Sequence, residues 1–108
     1  MAILGWDRNF ALEQAGDDEA ILSELLLLFR DSSVADIARI QEGLERQDAI
    51  AVADAAHSIK GAAASLGVDE IRAVAADLEK LGRSGDLSAL AAPASRLAEL
   101  VAVLGDLK

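Results

Sequence analysis

Apolar positions in this chain recur at three- and four-residue spacings rather than in alternation, so the elements it predicts are helices. The clearest run goes from Val52 through Ala56, Ile59 and Ala63 to Leu66, one seam of a helix packed in a bundle. Asp48 precedes that run as a cap, and Gly67 follows it as a left-handed stop. Upstream, Asp7 caps a short helix through Gln14 that Gly16 ends. Asp17 or Asp18 then starts a helix to Arg30, with Leu22, Leu25, Leu26 and Phe29 inward and Leu27 pointing away from that stripe. Ser32 or Ser33 is the expected cap of a further helix that turns Val34, Ile37, Ile40 and Leu44 inward. Downstream, Asp69 restarts a helix with Ile71, Val74, Ala75, Leu78 and Leu81 facing in, and "GRSGD" ends it. The last helix runs from Leu87 to Leu104 with Leu90, Ala94, Leu97, Val101 and Leu104 inward; Pro93 either kinks it or marks its true start. Short connections between helices of this length favour antiparallel neighbours. The expected fold is all-α, an antiparallel up-and-down four-helix bundle with a short extra N-terminal helix.

Composition narrows what such a bundle does. With 108 residues, 53% of them hydrophobic, the expectation is one domain over residues 1–108 with a real core. The absence of cysteine excludes a disulfide scaffold, a thiolate nucleophile and a sulfur-ligated zinc site. A net charge of −9 argues against nucleic acid and against an acidic membrane surface, and favours partners with a basic or apolar docking face. The N-terminus lacks the basic start and apolar run of a signal peptide, and "AILSELLLLF" is too short and too interrupted to span a bilayer. A cytoplasmic protein without direct membrane contact is the expectation. There is no glycine-rich phosphate loop, so neither ATP binding nor kinase activity is expected.

The chain has one histidine, in "DAAHSIKGAAASLG". On a helical wheel His57 lies roughly 140° from the Val52–Leu66 seam. It is therefore expected outside, on an arc shared with Ile50, Ala53, Lys60, Gly61 and Ala64. A solvated face would carry Glu, Lys, Gln and Arg; this one is mostly small. A glycine inside a helix costs about 1 kcal/mol relative to alanine, so Gly61 invites a packing or functional reason. One turn from His57, it gives another molecule access to the ring. An unperturbed imidazole titrates at about pH 6.5, so near neutrality it offers a lone pair for attack. Lys60 can bring a cation to phosphoryl oxygens, and phosphoryl transfer asks mainly for positioning and charge stabilisation. Asp54 and His57 share a face, but two ligands make no metal site. Ser58 and Ser65 lie off the His57 face, so a Ser-His hydrolase is not supported. An antiparallel hairpin around Gly67 would bring Asp77 to Glu79 level with His57. Glu79 is thus a candidate to accept from Nδ1 and leave Nε2 as nucleophile, against the plainer alternative of a solvated glutamate.

"AHSIKGAAASLG" resembles the signature of histidine-containing phosphotransfer (HPt) domains, AH-x-(Leu/Ile)-Lys-Gly followed by a further Gly, with His57, Lys60, Gly61 and Gly67 on the matching positions. "AGDDEAILSELLLLF", "LERQD" and "DLEKLGRSGD" are similar to the family's flanking segments, so the resemblance covers nearly the whole chain. Ile59 stands for the more usual leucine, and Ala62 and Ala63 stand where serine is common. The resemblance implies that His57 accepts a phosphoryl group from a response-regulator receiver aspartate and passes it to another receiver. It implies a carrier rather than an enzyme, with Mg²⁺ on the partner receiver and no cofactor or metal here. A free monomeric protein and a domain of a hybrid histidine kinase both fit. Leu27, Ile50, Ala53 and Ala64, with Gly61, are the expected receiver-docking patch; the alternative for Leu27 is packing under the short N-terminal helix. Two alternatives stay open: the first domain of a chemotaxis-type histidine kinase, which shares "HSIKG", and an unphosphorylated helical interaction module.

Overall fold

Three aspartates start three helices. Asp7 Oδ1 accepts from the Phe10 amide at 3.0 Å and opens α1, Arg8–Gln14. Asp18 Oδ1 accepts from Ala20 and Ile21 at 2.9 and 3.2 Å and opens α2, Glu19–Glu45. Asp48 Oδ1 accepts from Ala51 at 3.0 Å and opens α3, Ala49–Leu66. Each carboxylate satisfies amides that the first helical turn leaves without partners. These elements belong to a computed structural model that describes residues 3–108. Two more helices, α4 (Asp69–Ser84) and α5 (Ala91–Ala102), complete the chain, with short 3₁₀ turns at Ile3–Gly5, Leu87–Ala89 and Leu104–Asp106. Among the described residues there is no strand, only one bridge pair, Trp6 with Val68.

The expected break at Ser32 or Ser33 does not occur, and α2 runs unbroken for 27 residues. No glycine or proline lies between Glu19 and Gly43, and serine is a weak breaker without one. Ser32 Oγ turns back to donate to the Phe29 carbonyl at 3.1 Å, and Ser33 is buried. The inward stripe simply continues: Leu22, Leu26, Phe29, Ser33, Asp36, Ile40 and Gly43. That register leaves Ile37 and Leu44 partly buried and turns Val34 out to solvent, against the expectation of an inward Val34.

The α3 seam is buried throughout, as its spacing predicts. Gly67 turns the chain at φ 68°, and Val68 N donates back to the Ala63 carbonyl at 3.0 Å. The N-terminal segment seals this turn. Trp6 Nε1 donates to Leu66 O at 3.0 Å, and Asp7 N donates to Gly67 O at 2.9 Å. Pro93 marks the true start of the last helix: it is the third residue of α5, where its missing N–H leaves no bond unmade.

Leu87–Asp106 has a mean hydropathy of 1.5, long and apolar enough by composition to cross a membrane. Its large side chains Leu90, Leu97, Leu100, Val101 and Leu104 are packed into the bundle, which is how a core helix spends such a composition. Helices α2, α3, α4 and α5 close a ring in which each packs on the next, with α1 laid across α2 and α3. This is the antiparallel four-helix bundle with an extra N-terminal helix.

Helices α3 and α4 approach each other closely at Gly82. A Cβ on Gly82 would stand 2.9 Å from both the Ala49 carbonyl and Ala53 Cβ. Overpacking of this kind costs about 1–3 kcal/mol. Gly82→Ala is therefore expected to lower the urea midpoint of unfolding, although alanine is the better helix former. An unchanged or raised midpoint would show that α3 and α4 separate without cost.

Candidate functional site

His57 stands on the outer side of α3 with 62% of its side chain exposed. Gly67 folds α4 back beside it, and residues equally far from the turn come level. Glu79, on α4, meets the ring: His57 Nδ1 lies 2.9 Å from Glu79 Oε2. The plainer alternative, a solvated glutamate, is excluded by burial, since only 15% of the Glu79 side chain is exposed. Its other oxygen, Oε1, is held by Lys60 Nζ at 2.6 Å. Arg83, one turn further along α4, sets Nη2 3.5 Å from Glu79 Oε2 and donates from Nη1 to Asp54 Oδ1 at 2.8 Å.

This arrangement determines how the ring is protonated. The hydrogen bond from Lys60, with the nearby positive charge of Lys60 and the contact to His57, holds the Glu79 carboxyl below the usual carboxylate range against the opposing effect of burial. An ionised carboxylate only accepts, so the proton of a neutral ring sits on Nδ1. Nε2 is left with its lone pair on a ring that is mostly exposed. Asp54 raises the Arg83 guanidinium further above its already high range, chiefly through the hydrogen bond between them.

The small-residue face is uneven. A Cβ on Gly61 would meet nothing within 4 Å, so the surface beside the ring is open. Ala64 and Ile50 are exposed, as expected for the patch. Ala53 is not: it is fully buried against Gly82. A wheel referenced to one seam treats a helix as having one buried side, whereas α3 packs on α2 and α4 and buries two flanks. Leu27 is exposed but lies elsewhere, in a groove with Arg8, Arg30, Leu104 and Leu107 at the α2–α5 side of the bundle. That groove includes none of His57, Lys60, Gly61 and Ala64, and Leu27 stays half exposed rather than packed beneath α1.

Its neighbour Leu28 borders α3 instead. Leu28 is exposed and, with Gln14, Leu25 and Ser32, walls a groove of about 520 Å³ against Ala62 and Ser65 of α3. Arg83 is a residue of the site that sequence reasoning missed. Its signal was present, since a position four after Glu79 shares its face of a helix. Among the described residues no group of three metal-ligating side chains comes together, and Asp54 is engaged by Arg83.

The model of the Hpt domain family matches residues 24–107, and the chain belongs to that family. Hpt domains are histidine phosphocarriers of two-component signalling that work with response-regulator receiver domains and carry no kinase machinery of their own. Among solved structures, the chain is similar to histidine-containing phosphotransfer protein B (HptB) from Pseudomonas aeruginosa PAO1, with a TM-score of 0.85 and 23% identity over 93% of this chain and 87% of that one. At that identity the likeness establishes the shared fold. No curated protein matches the sequence.

Proposed function

We propose that His57 Nε2 accepts a phosphoryl group from the aspartyl phosphate of one receiver domain and passes it to the aspartate of another. The observation that carries this reading is the Nδ1–Glu79 contact beneath an exposed ring, which leaves one nitrogen nucleophilic and accessible. In the forward step the Nε2 lone pair forms the N–P bond as the acyl phosphate P–O bond breaks, and the receiver carboxylate leaves with the electron pair. Nδ1 keeps its proton, so the phosphorylated ring is cationic and stays paired with Glu79. The reverse step returns the phosphoryl group to a second carboxylate. Lys60, held on the other oxygen of the carboxylate that meets the ring, is the charge partner of the phosphoryl oxygens. Ile50, Gly61 and Ala64 form the docking rim. Mg²⁺ belongs to the receiver side of the reaction. The test is incubation with a phosphorylated receiver: the chain should gain a phosphoryl group that is labile in acid and stable in alkali.

Glu79→Gln is expected to slow phosphoryl acceptance about 10- to 100-fold, the usual effect of losing the group that orients a working imidazole. It should also change how stability responds to pH. The folded-state pKa of Glu79 is lowered, so its contribution to stability is full above the ordinary carboxylate value and disappears as pH falls through the folded value. The stability gap between the native chain and Glu79→Gln is thus widest near neutrality and closes in acid. Urea unfolding at pH 7 and pH 3 measures both gaps; equal gaps would exclude the ionised contact.

A further inference from the structure

We infer that Asp54 is a holding position for Arg83, keeping a second cation beside His57 that moves onto the phosphoryl group once the ring is phosphorylated. The inference rests on the proposed role of His57 and adds a regulator of the same site. Asp54 lies three residues before His57 on α3 and therefore on an adjoining part of its surface. Arg83 reaches it across the α3–α4 crossing, where Ala53 and Gly82 bring the two helices into contact.

The two cations of the site are held differently. Lys60 is the inner one, 34% exposed and 2.6 Å from Glu79. Arg83 is the outer one: its close contact is to Asp54, in a pair whose side chains are 45% and 64% exposed. Its approach to Glu79 is the longer one, at 3.5 Å. Exposed ion pairs are weak, so the Arg83–Asp54 bond exchanges readily. When Arg83 leaves, Glu79 keeps Lys60 and keeps the ring. Arg83 is the cation this site can release without disturbing His57.

Charge supplies the reason to move. With a neutral ring, Asp54, Glu79, Lys60 and Arg83 balance. Phosphorylation adds a dianionic group to a ring that becomes cationic, leaving one negative charge in excess. A guanidinium offers paired N–H donors that match phosphoryl oxygens better than an ammonium does. Asp54 competes with the phosphoryl group for that fork. The competition keeps the phosphorylated state from becoming too stable to pass its group on.

The test uses phosphorylimidazole as donor, so no partner protein is involved. Nε2 attacks phosphorus, the donor P–N bond breaks, and imidazole leaves with the electron pair. The equilibrium constant of this exchange, read by ³¹P NMR, reports how strongly the site holds the phosphoryl group. Asp54→Asn is expected to raise the constant about two- to fivefold, the range of an exposed ion pair, and Arg83→Gln to lower it by a similar factor. In the Arg83→Gln background, Asp54→Asn should add nothing. The ¹⁵N shifts of the His57 ring should stay those of the Nδ1–H tautomer in Asp54→Asn, because Glu79 and Lys60 are untouched. An equal gain from Asp54→Asn in both backgrounds means direct repulsion and overturns the inference, as does no gain or a loss in the single variant. If the native chain takes no phosphoryl group on His57, the functional proposal itself fails and the inference falls with it.

Discussion

His57→Gln is expected to abolish phosphoryl acceptance, from a receiver and from a small-molecule donor alike, while leaving the fold intact. The chain has one histidine and no cysteine, so no other imidazole or thiolate stands in as acceptor. The lost activity should therefore fall to the detection limit rather than to a fraction. Stability should hardly change. The ring is mostly exposed, and glutamine is at least as good a helix former as histidine. Its amide can still donate to Glu79, so the carboxylate keeps a partner on both oxygens. Surface replacements of this kind usually fall within about 0.5 kcal/mol. Phosphoryl incorporation and a urea melt of the same preparation check both halves. Acid-labile phosphate retained by a folded His57→Gln protein would exclude His57 as the acceptor.

How far this site was legible in the sequence follows from what each inference depended on. The α3 seam and the aspartate caps rest on local spacing alone, and the structure keeps them. Glu79 required one tertiary assumption, an antiparallel hairpin at Gly67. That was enough, because rise per residue is the same in both helices. The misplacements needed information that no single helix carries. Ser32 and Ser33 have the chemistry of caps, but a capping residue stops a helix only where a competing end conformation is available, and packing of a continuous stripe overrode it. A single-seam wheel puts Ala53 outside because its burial comes from a second neighbour, α4. Leu27 and Leu28 differ by one position, about 100° on the wheel, and which of them borders α3 depends on how the long α2 helix rolls against the bundle. Arg83 belongs to the site only through Glu79, which faces the ring.

Gly61→Arg is expected to separate chemistry from docking. Three glycines lie inside helices, and their surroundings differ. A Cβ on Gly43 would meet Val52 Cγ2 at 2.8 Å and one on Gly82 would meet Ala53 Cβ at 2.9 Å, whereas one on Gly61 meets nothing within 4 Å. Gly43 and Gly82 let helices approach; Gly61 serves no such contact among the described residues. Gly61→Ala should accordingly raise stability by about 0.5–1 kcal/mol, since the helix regains propensity at no steric cost. A stability-neutral position that keeps a destabilising residue is explained by what must reach it from outside. Gly61→Arg fills that space one turn from His57 without touching the core. Transfer from a phosphorylated receiver should drop more than about tenfold, equivalent to a loss of about 1.4 kcal/mol in the encounter. Phosphorylation by phosphorylimidazole should persist, because a small donor reaches Nε2 past the new side chain and its phosphoryl group is attracted by the added positive charge. That attraction makes the comparison stringent: charge favours both reactions, so selective loss with the receiver is steric. Undiminished transfer from the receiver would place its docking surface away from Gly61 and return the glycine to an unexplained cost in α3.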